Sequence, residues 1–195
     1  MANKDAAFGL KPIGKVGQNR DNQGLSEYVI AASTTAAIYQ NDPVSAYAAG
    51  AIQVSTTSGA ILGSLNGVFY TDSSTSKPTW SNHLAAGNTA TDIVGFVSDD
   101  PYERFEIQAS STLAKANVFL NANIATYVAG DSANYVSKVE INTAAMGTTA
   151  ASQLRVVGVS KDIENSELLN DTVYATNVNV VAMINNHFLK QTTGV

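Results

Sequence analysis

Short apolar segments rich in Val, Ile, Tyr and Phe return about every 10 to 15 residues along this chain, separated by turn residues. Such spacing leaves no room for long helices and selects a β-sandwich or a closed β-barrel. Residues 24–30 alternate apolar and polar side chains, and Ala37-Ile38-Tyr39 leads into the turn Asn41-Asp42-Pro43. The stretch 44–54 reads as a strand interrupted by Gly50, and 59–70 as another with Asn66-Gly67 as a tight hairpin turn. Residues 71–92, rich in Ser, Thr and Asn, read as a long loop with one short strand. Ile93-Val94-Gly95-Phe96-Val97 reads as a short buried strand closed by Asp99-Asp100-Pro101, and Phe105-Glu106-Ile107-Gln108 alternates again. One helical turn is expected in 111–116, followed by strand at 118–120. Segments 124–128 and 135–141 flank a turn at Gly130-Asp131. Residues 154–159 and 178–184 complete the set. The one Ala-rich candidate for a helix, 143–152, is weakened by Gly147 and the two threonines after it.

The polar surface implied by this chain is mostly uncharged. Only 14% of residues are charged, whereas Ala, Ser, Thr and Asn together supply 82 of 195. Neutral hydroxyls and amides are cheap to desolvate, so the surface suits close contact with other protein. At 195 residues the chain is one domain, or one domain plus an arm. A net charge of −5 argues against nucleic acid as the main partner. No apolar run approaches the roughly 18 residues of a membrane span, and the first residues lack the apolar centre of a signal peptide. With no cysteine, disulfides and thiolate chemistry are excluded.

Charge is unevenly spread. Residues 1–20 carry Lys4, Lys11, Lys15 and Arg20 against Asp5, a net +3. The same stretch mixes Gly9, Pro12, Gly14 and Gly17 with isolated Phe8, Leu10, Ile13 and Val16, and follows neither period. We read two domains of organisation: an extended N-terminal arm over 1–24 and a β-rich body over 25–195. The arm is expected to be ordered only by contact with a neighbouring subunit or with the larger assembly it docks on, with Phe8, Leu10 and Ile13 in apolar grooves, Pro12 among the contact residues, and Lys11, Lys15 and Arg20 near acidic partner surface. A frayed terminus is the alternative.

Catalytic signatures are missing. There is no phosphate-binding loop, no dinucleotide fingerprint and no nucleophile elbow. The two histidines, His83 and His187, are read as structural, and neither forms a zinc-like pair. Asp162, Glu164, Glu167 and Asp171 read as a solvated connecting loop rather than a calcium loop, since the spacing and glycine of an EF-hand are lacking. Asp99, Asp100 and Glu103 form a second acidic group, and Glu103 and Glu106 flanking Arg104 read as an edge-strand charge pattern. Trp80, near Tyr70 and His83, reads either as an anchor for its long loop or as a sugar-stacking platform. No catalytic residue, cofactor site or metal site is assigned.

The order of these segments carries a resemblance. Gly9-Leu10-Lys11-Pro12-Ile13 comes near the start, then Asn41-Asp42-Pro43-Val44, Val94-Gly95-Phe96-Val97, Phe105-Glu106-Ile107-Gln108 and Leu154-Arg155-Val156-Val157-Gly158-Val159. Asn165 follows, and Val181-Ala182-Met183-Ile184-Asn185-Asn186-His187-Phe188-Leu189 closes the series. This order resembles the capsid decoration, or cement, proteins of tailed bacteriophages, over most of the chain but through short motifs. Asn41 departs from it, standing where the family has Gly before the Asp-Pro turn.

The resemblance implies an all-β body, an antiparallel barrel or sandwich of jelly-roll-like or β-tulip-like form. It implies a non-enzymatic virion protein that is made in the bacterial cytoplasm and binds the outer capsid surface. Its expected partners are the phage major capsid protein and itself, as a homotrimer, with no nucleic acid, membrane or cofactor. A carbohydrate- or receptor-binding head-fibre or tail module using Trp80 is the competing expectation.

Overall fold

The computed structural model describes residues 3–17, 24–31, 36–125, 130, 132–162, 165 and 172–190. Among them run β1 (Lys11–Lys15), β2 (Ser26–Ile30), β3 (Pro43–Tyr47), β4 (Ala51–Val54), β5 (Gly63–Thr71), β6 (Pro78–Ser81) and β7 (Val94–Ser98). They are followed by β8 (Glu103–Gln108), β9 (Leu113–Ala114), β10 (Asn121–Ala122), β11 (Leu154–Val159), β12 (Val173–Tyr174) and β13 (Asn179–Ile184). The helical content among the described residues is three single 3₁₀ turns. The all-β expectation holds, and it resolves into a closed barrel beside a second sheet.

Strands β3, β4, β2, β7 and β5 follow one another in hydrogen-bonded order. β3 then pairs back onto β5 through Pro43 with Ser64 and Val44 with Gly63, which closes the ring. Closure leaves these five strands without a free edge. All pairs are antiparallel except β2 with β4, where Val29 lies beside Ala51. The barrel interior is filled by Ile30, Val44, Ile52, Leu65, Val68 and Val97, each buried. Each contributes on the order of 1.5–3 kcal/mol of transfer free energy. β6 lies outside the ring, paired with β5 alone.

One sequence expectation changes here. Asn66-Gly67 is not a hairpin turn, because β5 runs on from Gly63 to Thr71 and the register against β7 shifts between Leu65 and Gly67. The extra residue is absorbed as a β-bulge. The long loop at 71–92 holds the one short strand expected in it, β6. The Asp72 carboxylate accepts the Ser74 and Thr75 N–H groups at 2.8 and 2.9 Å, turning the chain back so that β6 can pair with β5. The Ser74 hydroxyl, which donates to the same carboxylate at 2.6 Å, and then those two N–H groups hold the Asp72 pKa down at about 2.

The second sheet has the order β1-β8-β13-β11-β10, and β9 with β12 form a separate pair. Its core holds Phe105 and Ile107 from β8, Val180, Ala182 and Ile184 from β13, and Leu154 and Val156 from β11. Leu113, Ile124, Val139 and Ile141 cover them. Residues 118–120 are a turn rather than a strand, with Phe119 at φ +75°. The Ala-rich stretch 143–152 is not helical. Residues 126–128 and Asp131, expected in a strand and a turn, lie outside the described residues, as do Glu164, Glu167 and Asp171 of the acidic loop.

The N-terminal segment is the largest correction. Its extended chain does not await a neighbour. β1 is the outer strand of the second sheet, with Lys11 opposite Glu106 and Lys15 opposite Glu103. Leu10 is 0% exposed within this chain's own core. Gly9 makes the approach possible: it holds φ +75°, and a Cβ there would collide with the Asn41 carbonyl and Ser137. The carboxylates of β8 are therefore not edge charges. Glu103 and Glu106 are buried between β1 and β13, where the basic segment neutralises them.

Candidate functional site

Strand alternation gives the barrel an outer face, and apolar residues occupy it. Val29 on β2 pairs with Val94 on β7, Val94 with Phe69 on β5, and Phe69 with Trp80 on β6. Paired residues point to the same side of a sheet, so these four side chains form one row across four strands, about 14 Å long. Val29, Phe69 and Trp80 are 56%, 42% and 54% exposed. Phe96, one row further along β7, packs its ring against Trp80 with centroids 5.0 Å apart and planes at 56°. Glu27 borders the patch on β2, opposite Phe96, and Asp92 lies beyond its other margin, accepting the Thr71 N–H at 3.1 Å. The rows between carry no ionisable group.

Gly67 sets this face. It pairs with Phe96, and the Trp80 ring lies over it, so that a Cβ would come within 2.6 Å of Trp80 Cζ2 and 2.9 Å of the Ser81 carbonyl oxygen. Trp80 thus anchors its strand onto the barrel and still presents half its surface to solvent. Gly67→Ala is expected to lift the ring, lower stability by about 1–3 kcal/mol and shift the Trp80 emission. Chemical denaturation followed by fluorescence checks both effects on a single-tryptophan chain.

The residues expected to make contacts from the arm are distributed differently. Leu10 is internal. Phe8 is half-buried, with the Lys11 ammonium 6.0 Å from its ring centroid. Lys11 reaches Glu106 at 3.5 Å and Lys15 reaches Asp100 at 3.1 Å, so both cations meet carboxylates of their own chain. Pro12 and Ile13 remain exposed on β1. Arg20 lies outside the described residues.

A mixed groove of about 940 Å³ separates β1 from the barrel and is lined by Ile13, Lys15, Leu25, Asp99, Glu103 and Leu189, among others. Its acids are engaged. Asp99 accepts Tyr28 Oη at 2.5 Å and Ser26 Oγ at 2.9 Å, and Glu103 accepts the Gly14 N–H at 3.2 Å. Burial, followed by the contact with Asp99, pushes the Tyr28 phenol up to about 12. Burial also raises Glu103, against the pull of Lys15.

The histidines take structural positions. His83 Nδ1 lies 3.0 Å from Ser81 Oγ and 3.1 Å from Asn82 Oδ1, and its ring stacks on Tyr135 at 3.7 Å. That stack pins the end of β6 to the segment beside the second sheet. His187 is 1% exposed at the seam between the two cores. Ile61 donates its N–H to the Asn186 carbonyl at 3.0 Å, and Phe188 donates to the Ile61 carbonyl at 2.9 Å. Among the described residues no three His, Asp or Glu side chains converge as metal ligands would.

Sequence reasoning singled out Trp80 and missed its partners. Val29, Phe69 and Val94 sit on different strands, and only the pairing register brings them together. The available signal was the unbroken apolar run 93–97, which promises burial on both faces of a strand that the barrel buries on one. No family model, curated protein or solved structure matches this chain.

Proposed function

We propose that this chain is a non-enzymatic virion structural protein, a capsid decoration protein that binds the outer surface of an assembled phage shell and reinforces it. The observation that carries the reading is the exposed row Val29–Val94–Phe69–Trp80 on a closed barrel. A rigid apolar centre with polar and acidic groups at its rim is the composition of a protein-binding surface. The resemblance carried by the order of sequence motifs supports the major capsid protein as the partner. Binding confined to the assembled lattice would stabilise that lattice by linkage, with no catalytic group required.

The contact is placed on the barrel face rather than on the N-terminal segment, whose Leu10 and lysines are committed internally. Trp80→Ala is expected to weaken shell binding by roughly 30-fold or more, as loss of a central aromatic anchor does. Binding should change little between low and moderate salt, since the row itself carries no ionisable group and the carboxylates of Glu27 and Asp92 lie at its margins. Cosedimentation with purified shells measures both. Heating shells with and without the protein tests reinforcement, and equal survival of bare and decorated shells would reject the role.

The same face favours one second reading. Trp80 beside Phe69 offers an aromatic platform on which a sugar ring can stack, as a receptor- or carbohydrate-binding module requires. Glycan binding without shell binding, lost in Trp80→Ala, would select it.

A further inference from the structure

Phe119 pays twice for its position. Its backbone holds φ +75°, a left-handed conformation that is disfavoured for a bulky side chain. Its ring is 71% exposed, more than any other large apolar side chain among the described residues. The neighbouring backbone fixes it there. Phe119 donates its N–H to the Val156 carbonyl at 2.9 Å, Val156 donates to the Leu120 carbonyl at 3.1 Å, and Leu120 donates to the Asn117 carbonyl at 3.1 Å. Tyr135 also has a positive φ, but its ring is stacked on His83. Phe119 is therefore a rigidly presented aromatic knob whose reward is not found within the described fold.

The barrel carries a matching hollow. Between β3 and β4 the chain turns through Ala48–Gly50, with Ala49 at φ +67° and Gly50 at φ +74°. These small residues leave an apolar depression of about 280 Å³ lined by Tyr47, Ala48, Ala51, Leu62, Phe188 and Leu189. A cavity of about 150 Å³ is enough to hold benzene. Tyr47 and Leu189, 47% and 51% exposed, are left solvated with it. Phe119 is not among the residues lining the hollow of its own chain, which leaves the knob and the hollow for a contact between copies.

We propose that Phe119 of one copy seats in the Tyr47–Leu62–Phe188 hollow of the next, joining copies head to tail. Such a heterologous contact repeats until the ring of copies closes. The knob is its anchor, and the surface around it supplies the rest of the buried area. Self-association of the free protein is independent of shell binding, so either can fail without the other.

Three variants test it by analytical ultracentrifugation of the full chain. Wild type is expected to sediment as a closed oligomer. Phe119→Gly removes the knob, and Ala48→Trp fills the hollow from its rim. Each is expected to weaken association at least tenfold and to sediment as a monomer where wild type is assembled. Phe119→Gly keeps an open hollow and Ala48→Trp keeps a knob, so an equimolar mixture should form a two-copy species and stop there. Phe119→Ala serves as the folding control: at φ +75° it should also be monomeric but melt below Phe119→Gly. A monomeric wild type, assembly surviving in either single variant, or a mixture that stays monomeric would overturn the proposal.

Discussion

Leu10→Ala is expected to lower stability by about 2–5 kcal/mol, the range for truncating a fully buried leucine. For a chain of 195 residues that is a fall in Tm of roughly 5–15 °C. The size follows from where the segment lies. Leu10 is 0% exposed among Phe105, Ile107 and Val139, and its N–H donates to the Asn41 carbonyl at 2.9 Å. Its own carbonyl accepts Ser64 Oγ at 2.6 Å, which ties it to the barrel as well. A smaller side chain leaves a cavity at the junction of two sheets, where neither can collapse alone. Ile13→Ala, three residues along and 45% exposed, is the internal comparison and should cost no more than about 0.5 kcal/mol. Urea denaturation of both variants reads the difference. Equal, small effects would mean that the segment is detached in solution and that its role lies with a partner, as composition alone suggested.

That contrast shows what the sequence could and could not convey. Alternation in 178–184 was legible because Val180, Ala182 and Ile184 point inward from one strand, a local pattern of period 2. The arm was misjudged because its anchoring is non-local. One internal leucine, one glycine in the left-handed region and a five-residue strand do not produce a period. What did carry information was charge: Lys11 meets Glu106 and Lys15 meets Asp100, so the basic segment and part of the acidic group are two halves of one contact. Each half alone looked like a surface feature. Barrel closure was likewise hidden, since it rests on two residue pairs between β3 and β5. The exposed apolar row needed the register of three strand pairs, including the shift at Leu65/Gly67 that no turn rule anticipates. The hairpin expectation at Asn66-Gly67 failed for the same reason: the dipeptide's backbone freedom serves a bulge as well as a turn.

Acidification from pH 6.5 to 4 is expected to cost up to about 3 kcal/mol of stability through His187 alone. Burial is the main cause of its shift, holding the imidazole pKa down at about 4, and the nearby Lys190 ammonium adds to it. Asp99 and Asp100 pull in the opposite direction without prevailing. The ring sits 1% exposed, its Nδ1 accepts the Leu189 N–H at 3.1 Å, and its Nε2 has no well-formed hydrogen bond among the described residues. The neutral form is thus the one the fold accommodates. The unfolded chain takes up a proton near the ordinary 6.5 and the folded chain only near 4, so between these values the unfolded state binds more protons. Stability therefore falls as pH drops through that window and levels off, for this residue, below about 4. Burial also raises Glu103 and Glu140, so the wild-type curve alone does not isolate the histidine. His187→Asn does, because the amide oxygen can take over the role of Nδ1 toward Leu189 while removing the titration. The difference in unfolding free energy between wild type and His187→Asn should shrink or reverse as pH falls from 6.5 to 4. A constant difference across that range would mean that the seam between barrel and sheet admits a charged imidazole, and that the two cores are less tightly joined than Ile61 and Phe188 imply.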